Sequence, residues 1–386
     1  WPHFPNSILI PVPKTALLFF TDTHRSADLR YFCGFEVHDP FIAVQVGDKR
    51  IGVLNALEFG RGLKESTLDE IVPLEELTAA AEKAGIATPG PADQIAVLAK
   101  KLRIKAFDVP GEFPSFLLVK LLDLGLDINV IDGAVFPDRE CKSDEEAAMV
   151  RQGNRCSAAG FAAAEAILRD STIKGKKLMF EGKALTSERL RFAIEVACLE
   201  KGAIAADTIV AGGDQACDPH CRGSGPLRPN DLIILDIFPR VTSTGYFGDM
   251  TRTFLRGTAS DAQRDLVAAV AAAQKAALQK IKAGVMGNLV HAECNRVFKE
   301  RGYETKLTSE GAVGFFHGTG HGLGLDVHEA PRIGAVKRKL LKGAVVTVEP
   351  GLYYPGLGGC RIEDVVQVTA DKPKMLSRYH YNWELK

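Results

Sequence analysis

Leu232-Ile233-Ile234-Leu235-Asp236 opens a stretch that continues through Thr242-Ser243 to Tyr246-Phe247-Gly248-Asp249-Met250-Thr251-Arg252-Thr253-Phe254-Leu255. β-Branched, aliphatic and aromatic residues crowd both ends, and small or polar residues fill the middle. This pattern predicts two strands, Leu232–Phe238 and Tyr246–Leu255, joined by a turn near Thr242-Ser243. Asp236 and Asp249 stand at mirror positions about that turn, so an antiparallel hairpin sets them roughly opposite one another. The arrangement recurs. Strands predicted at Ala344–Tyr353 and Arg361–Thr369 flank Pro355-Gly356-Leu357-Gly358-Gly359, and Glu349 and Glu363 mirror each other about Gly356.

Both acidic pairs follow apolar runs, Leu232–Leu235 in one hairpin and Val345–Val348 in the other. Like charges buried face to face are costly unless a cation neutralises them. The plainer alternative is that these acids point to solvent or to arginines, with Arg252 and Arg361 close by in sequence. One such pair leaves both alternatives open; two matched pairs favour the cation.

A third element is His317-Gly318-Thr319-Gly320-His321-Gly322-Leu323-Gly324-Leu325-Asp326-Val327-His328-Glu329, which holds three of the nine histidines of the chain. Four glycines at alternate positions argue against a helix. They suit a loop or strand that other groups approach closely. The glycine spacing does not match a dinucleotide-binding turn, and no second histidine follows His328-Glu329 at metalloprotease-helix spacing. Four carboxylates and at least one imidazole suit a divalent metal centre. The oxygen-rich set points to Mn²⁺, or to Co²⁺ or Fe²⁺, before structural zinc. Four acids exceed the needs of one ion, so two ions roughly 3.5–4 Å apart, sharing bridging carboxylates and activating a water between them, are expected.

Around these elements the chain of 386 residues reads as an ordinary globular protein, 46% hydrophobic and 25% charged. That excludes a disordered, collagen-like or coiled-coil architecture. Its 48 basic and 48 acidic residues cancel. A balanced chain has no electrostatic footprint for nucleic acid or an anionic membrane, and no apolar run reaches membrane-spanning length. Neither partner is therefore expected. Eight scattered cysteines fit free thiols in a reducing, cytoplasmic compartment. Cys217, His220 and Cys221 lack the second pair that a zinc knuckle needs. The chain begins at Trp1, as expected if an N-terminal segment has been trimmed.

Strand and helix alternate over the first third. Strands are expected at Ala16–Phe20, Lys105–Val109 and Ile128–Ile131, and a hairpin at Phe41–Val46 and Ile51–Asn55. Helices are expected at Pro73–Lys83, Ala92–Leu102 and Pro114–Leu124. Asp22, His24 and Arg25 read as a solvated turn. The pattern changes near Phe136-Pro137-Asp138. Ser143 and Glu146 form a capping box ahead of a long helix to about Leu168, and Ser260 and Gln263 form another. Further helices are expected at Ser187–Lys201, Ser260–Lys282 and Asn288–Glu300. The division is an α/β domain over residues 1–140 and an α+β domain over residues 141–386, with no short-period repeat.

At its acidic and histidine motifs the sequence resembles the pita-bread (M24) metallopeptidases, the family of prolidase, aminopeptidase P, methionine aminopeptidase and creatinase. The likeness covers nearly the whole chain. The family order of ligands, Asp, Asp, His, Glu, Glu, falls on Asp236, Asp249, His321, Glu349 and Glu363. The resemblance implies that Asp249 and Glu363 bridge two metals, that Asp236 binds one and that His321 and Glu349 bind the other. It gives Glu349 the role of proton shuttle. It makes His220, His317 and His328 substrate contacts, with His328 and His220 at the chemistry, and Arg332 and Arg361 candidates for substrate carboxylate or for orienting ligands.

Leu29–Phe35 resembles the smaller creatinase/prolidase N-terminal domain, which methionine aminopeptidases usually lack. His328-Glu329-Ala330-Pro331-Arg332 is similar to prolidases. Ile237-Phe238-Pro239-Arg240 departs from the small residues usual after the first ligand, and Cys221 stands where an aromatic is common. Both departures bear on substrate preference. The implied activity is that of an Xaa-Pro dipeptidase working through a metal-bridging hydroxide on a small proline-containing peptide. Two metals, Mn²⁺ foremost with Co²⁺, Zn²⁺ or Fe²⁺ as substitutes, and a homodimer accompany it. The runner-up is an aminopeptidase P. A non-catalytic pita-bread binding protein and a creatinase-type amidinohydrolase are disfavoured because all five ligands are present.

Overall fold

The structure, a computed structural model, describes residues 15–309 and 311–386. The chain divides into two compact units, Trp1–Pro137 and Asp138–Lys386, a few residues ahead of the boundary expected near residue 140.

The first unit is a six-stranded mixed sheet with helices against it. In chain order its elements are β1 (Thr15–Thr21), α1 (Ala27–Cys33), β2 (Phe41–Val46), β3 (Lys49–Leu54), α2 (Ala56–Glu65), β4 (Glu70–Pro73), α3 (Leu74–Lys83), α4 (Pro91–Leu102), β5 (Ala106–Val109), α5 (Ser115–Asp123) and β6 (Asp127–Val130). The sheet order is β4-β3-β2-β1-β5-β6. The β2–β3 hairpin closes at Gly47-Asp48, where Gly47 adopts φ +61° and Val46 pairs with Lys49. One expectation fails here. Asp22 is buried rather than solvated, because its carboxylate accepts from the amides of His24 and Arg25, both at 2.9 Å. That local bond satisfies the charge without water and starts the turn into α1.

The second unit sets two helix pairs against two sheets. Its first half comprises α6 (Asp144–Asp170), β7 (Thr172–Lys174), β8 (Lys177–Phe180), β9 (Lys183–Ala184), α7 (Ser187–Glu200), β10 (Ala203–Ile204), β11 (Ile209–Gly212), β12 (Ile233–Ile237), β13 (Arg240–Val241) and β14 (Met250–Arg256). The second half comprises α8 (Asp261–Lys280), α9 (Gly287–Glu300), β15 (Lys306–Thr308), β16 (Gly311–Val313), β17 (Gly320–Gly322), β18 (Glu329–Ile333), β19 (Val345–Val348), β20 (Gly351–Tyr354), β21 (Gly358–Arg361), β22 (Asp364–Gln367), β23 (Lys374–Met375) and β24 (Glu384–Leu385). The main sheets run β11-β12-β14-β24 and β18-β17-β19-β22-β23. Both expected capping boxes form, at Ser143/Glu146 and Ser260/Gln263.

The same construction appears twice. Phe161, Leu168, Leu190 and Ile194 of α6 and α7 pack on Ile233, Leu235 and Phe254 of the first sheet. Leu266, Val270, Val290 and Phe298 of α8 and α9 pack on Val346, Val348 and Val366 of the second. Each sheet thus buries its helix-facing residues and leaves the alternate positions for other use. Among the described residues no helix is long and apolar enough to cross a membrane.

Candidate metal centre

The register of the strands decides where the acids meet. Val348 pairs with Asp364 and Gly351 with Arg361, so Glu349 and Glu363 face each other at the break between the two ladders. The two long strands expected there are therefore four short ones, β19/β20 and β21/β22, with Pro350 at one break, where a missing N–H forbids a continuous ladder. The other hairpin is shifted by two residues from expectation. Asp236 pairs with Thr251, not Asp249. The in-register bridge from Arg240 to Phe247 puts the centre of the turn between Ser243 and Thr244. Asp249 lies two residues from Thr251 and hence on the same face, diagonal to Asp236.

Close backbone contacts fix these positions. A Cβ on Gly153 of α6 would sit 2.3 Å from the amide nitrogen of Gly248. That approach lets Asn154 Oδ1 accept the Asp249 N–H at 2.9 Å while its amide donates to the Leu376 carbonyl. The glycines around His321 work the same way: a Cβ on Gly320 would meet the Thr347 carbonyl oxygen at 2.0 Å, and one on Gly322 the Ala330 oxygen at 2.0 Å. The segment is a strand threaded between two others, β18 and β19, as its glycines suggested.

The result is a cleft of about 720 Å³ whose wall carries all ten residues singled out from the sequence: His220, Asp236, Asp249, His317, His321, His328, Arg332, Glu349, Arg361 and Glu363. One donor atom from each of Asp249, His321 and Glu363 lies within 4.8 Å of the other two, and all three side chains are buried. His321 Nε2 is 3.6 Å from Asp249 Oδ2 and 3.3 Å from Glu349 Oε1. Its Nδ1 is 3.1 Å from the Gly322 carbonyl. Donation there leaves Nε2 as the acceptor facing the carboxylates, the tautomer a metal ligand needs.

Asp236 stands beside this group. Its Oδ2 accepts from Arg361 Nη2 at 2.7 Å, and its Oδ1 is buried without a partner. So one acid does take an arginine, as the plainer alternative held, and yet keeps one oxygen unsatisfied. Arg252 serves none of the four acids' side chains. It pairs with Asp364 at 3.0 Å and donates to the Glu363 carbonyl at 2.6 Å.

Crowding disturbs the acids. Burial above all, then the charges of Asp236 and Glu349, holds the Asp249 carboxyl well above its ordinary range. Burial and the charges of Asp249 and Glu349 do the same to Glu363. Glu349 is pushed up to about 7, chiefly by burial, with Asp236 adding and Arg361 opposing. Burial also drives His321 down to about 3, with His328 contributing. Buried carboxylates without a cation cost several kcal/mol each. A neutral imidazole, three crowded acids and an orphaned Asp236 oxygen are together a donor set that a divalent cation satisfies. No cysteine joins the three-residue group found among the described residues; all eight cysteines are free thiols.

Several contributing residues carry no motif. Thr251 donates to Glu363 Oε2 at 2.8 Å, and Thr347 donates to Glu349 Oε1 at 3.3 Å. Each lies two residues from an acid, so strand periodicity was a usable signal. Tyr353 is fully buried between Arg361 Nη1 at 3.0 Å and His317 Nε2 at 2.8 Å. With Nδ1 on the Gly318 carbonyl at 2.7 Å, both ring nitrogens of His317 are engaged, so it offers the cleft a ring face rather than a free donor. His220, His328 and Arg332 are exposed on the rim, and the His328 ring meets that of His321 edge-on at 4.4 Å.

Comparison with known proteins agrees with this geometry. Residues 148–370 match the model of metallopeptidase family M24. The Xaa-Pro dipeptidase of Pyrococcus furiosus is 32% identical over 250 residues, which span 64% of this chain and 66% of that protein. An X-Pro aminopeptidase from Thermotoga maritima superposes with a TM-score of 0.80 at 24% identity, covering 96% of this chain and 97% of that one. The prolidase of Pyrococcus furiosus superposes at 0.76 and 23%, covering 95% and 96%. At such identities these two structures speak for the fold, and they do so across both units. The family match spans more than half of the sequence and includes the stretch that bears every acid of the cleft, so the chain belongs to metallopeptidase family M24.

Proposed function

We propose that this protein is an Xaa-Pro dipeptidase whose metals are held by Asp236, Asp249, His321, Glu349 and Glu363. The observation that carries the reading is the convergence of Asp249, His321, Glu349 and Glu363 from separate chain segments onto one cleft wall, with the unsatisfied Asp236 oxygen beside them. The name of the Pyrococcus relative supports the substrate class. Bound divalent ions, two Mn²⁺ in this reading, supply Lewis-acid activation of water and of the peptide carbonyl.

The protein's own groups do the rest. Glu349 takes a proton from the attacking water and returns it to the imide nitrogen of the leaving proline. His328 on the rim donates to the substrate carbonyl oxygen as negative charge develops there. Arg332, exposed at the same rim, receives the carboxylate of a dipeptide, for which a guanidinium fork is suited. His220 contacts the substrate from the opposite loop, and His317 packs against it through its ring. Arg361 holds Asp236 in place and is itself held by Tyr353. The small unit is assigned as the creatinase/prolidase type, the assembly as a homodimer, and the compartment, from the free thiols, as the cytoplasm.

The test is hydrolysis of Ala-Pro beside Ala-Pro-Ala-Ala by metal-stripped protein resupplied with Mn²⁺. Cleavage of the dipeptide alone is expected. Cleavage mainly of the tetrapeptide makes the protein an aminopeptidase P, and metal binding without cleavage of either overturns the assignment.

A further inference from the structure

A second cleft, of about 930 Å³, opens on the second unit and shares no lining residue with the metal centre. One wall is α6, which contributes Arg151 and Arg155, one helical turn apart and so on the same face. The facing wall is the strap from Met375 to Asn382, which contributes Arg378. No carboxylate or carbonyl among the described residues engages any of these three guanidinium groups.

The acids nearby are already spent. Asp364, which also lines the cleft, accepts from Arg252, Ser377, Gln274 and Tyr381. Glu165 is taken by Arg169, Tyr379 and His380. A single exposed arginine is solvated by water at little cost. Three that line one cleft, where the Asp364 carboxylate is already paired with Arg252, raise the local potential. In a chain whose formal charges cancel, this is a local excess.

The strap is not loose. Ser377 accepts the Val365 N–H at 3.0 Å and donates to Asp364. Tyr379 stacks on His380 at 4.4 Å, and Arg252 lies 4.6 Å over the Tyr381 ring. Arg378 is thus presented from a fixed backbone opposite a fixed helix. The volume suits a small molecule rather than a macromolecule. We propose that this cleft is a binding site for a small multivalent oxyanion, a phosphate ester or a dicarboxylate, clamped between Arg151 and Arg155 on one side and Arg378 on the other.

The experiment titrates Mn²⁺-loaded full-length protein with inorganic phosphate and with succinate by calorimetry, at fixed ionic strength. Saturable binding is expected for at least one probe. The triple variant Arg151→Ala/Arg155→Ala/Arg378→Ala should weaken it by about 10-fold or more, the loss of charge-assisted bonds. Arg155→Glu, a change at an exposed helix position, should do the same without disturbing the fold, whereas Arg296→Ala on α9 should leave it unchanged. Binding of phosphate alone assigns a phosphate ester, of succinate alone a dicarboxylate, and of both the shared oxyanion chemistry. No saturable binding, or binding that survives in the triple variant because the anion sits on the metals, overturns the proposal.

Discussion

Glu349 concentrates the chemistry of the site into one side chain. Its carboxyl is pushed up to about 7 by burial, and it lies 3.3 Å from His321 Nε2. Glu349→Gln keeps an oxygen for the metal and removes the proton carrier. Activity on Ala-Pro should fall by roughly 10²–10⁴-fold, the span of general acid–base contributions, with metal content largely retained. Parallel kinetics and metal analysis check this, and wild-type activity would end the proton-shuttle role. Asp249→Ala should instead remove metal and activity together and leave the far-ultraviolet circular dichroism unchanged; an active variant would dismiss Asp249 as a ligand. Residues of this kind were legible because carboxylates in apolar runs are conspicuous. Asn154 was not. It reaches Asp249 from 95 positions away, and no local pattern announces such a contact.

At the scale of elements, the centre is held by pairing and by close packing. The register of the Gly356 hairpin was legible, because Gly-rich turn residues mark its middle, although its two expected strands are broken into four. The Asp236 hairpin was read two residues out of register because its turn centres between Ser243 and Thr244, where the in-register bridge from Arg240 to Phe247 puts it. The small sheet β7-β8-β9 was missed, since strands of two to four mostly exposed residues carry little hydrophobic signal. The contact of α6 with the 247–248 loop yields a sharp expectation. Gly153→Ala improves intrinsic helix propensity by about 1 kcal/mol. It nonetheless places a methyl 2.3 Å from the Gly248 nitrogen. The variant should melt below the parent and bind Mn²⁺ more weakly; a higher melting temperature would show that the loop yields freely.

Across the whole molecule, the crowded acids tie stability to pH and metal. His317 and His321, which burial drives down to about 3, oppose the acids near pH 6.5, where an unfolded histidine is still half protonated, and drop out of the balance only above about pH 7.5. The acids do not. Glu349 titrates near 7 when folded and near its ordinary 4.5 when unfolded, so the folded state binds more protons and its stability is lost as pH rises through 7. Asp249 and Glu363 are shifted in the same direction. Metal-stripped protein should therefore be less stable at pH 8 than at pH 7.5 in urea titrations. Saturating Mn²⁺ should remove that slope and raise the midpoint, because a ligand bound only to the native state stabilises it. A slope of opposite sign would mean that the acids are not crowded in solution. The chain divides into two compact units, Trp1–Pro137 and Asp138–Lys386.

The free thiols make this chain its own stopwatch. Cys33 in the small unit and Cys294 and Cys360 in the large one are buried, and burial pushes them to about 11, 12 and 12. A thiol so shielded forms little thiolate and meets reagent only when its surroundings open. Alkylation read cysteine by cysteine in a mass spectrometer thus times the opening of each unit within a single molecule. Mn²⁺ that slows modification of Cys360 but not of Cys33 would show two units breathing on separate schedules, and equal slowing would show one.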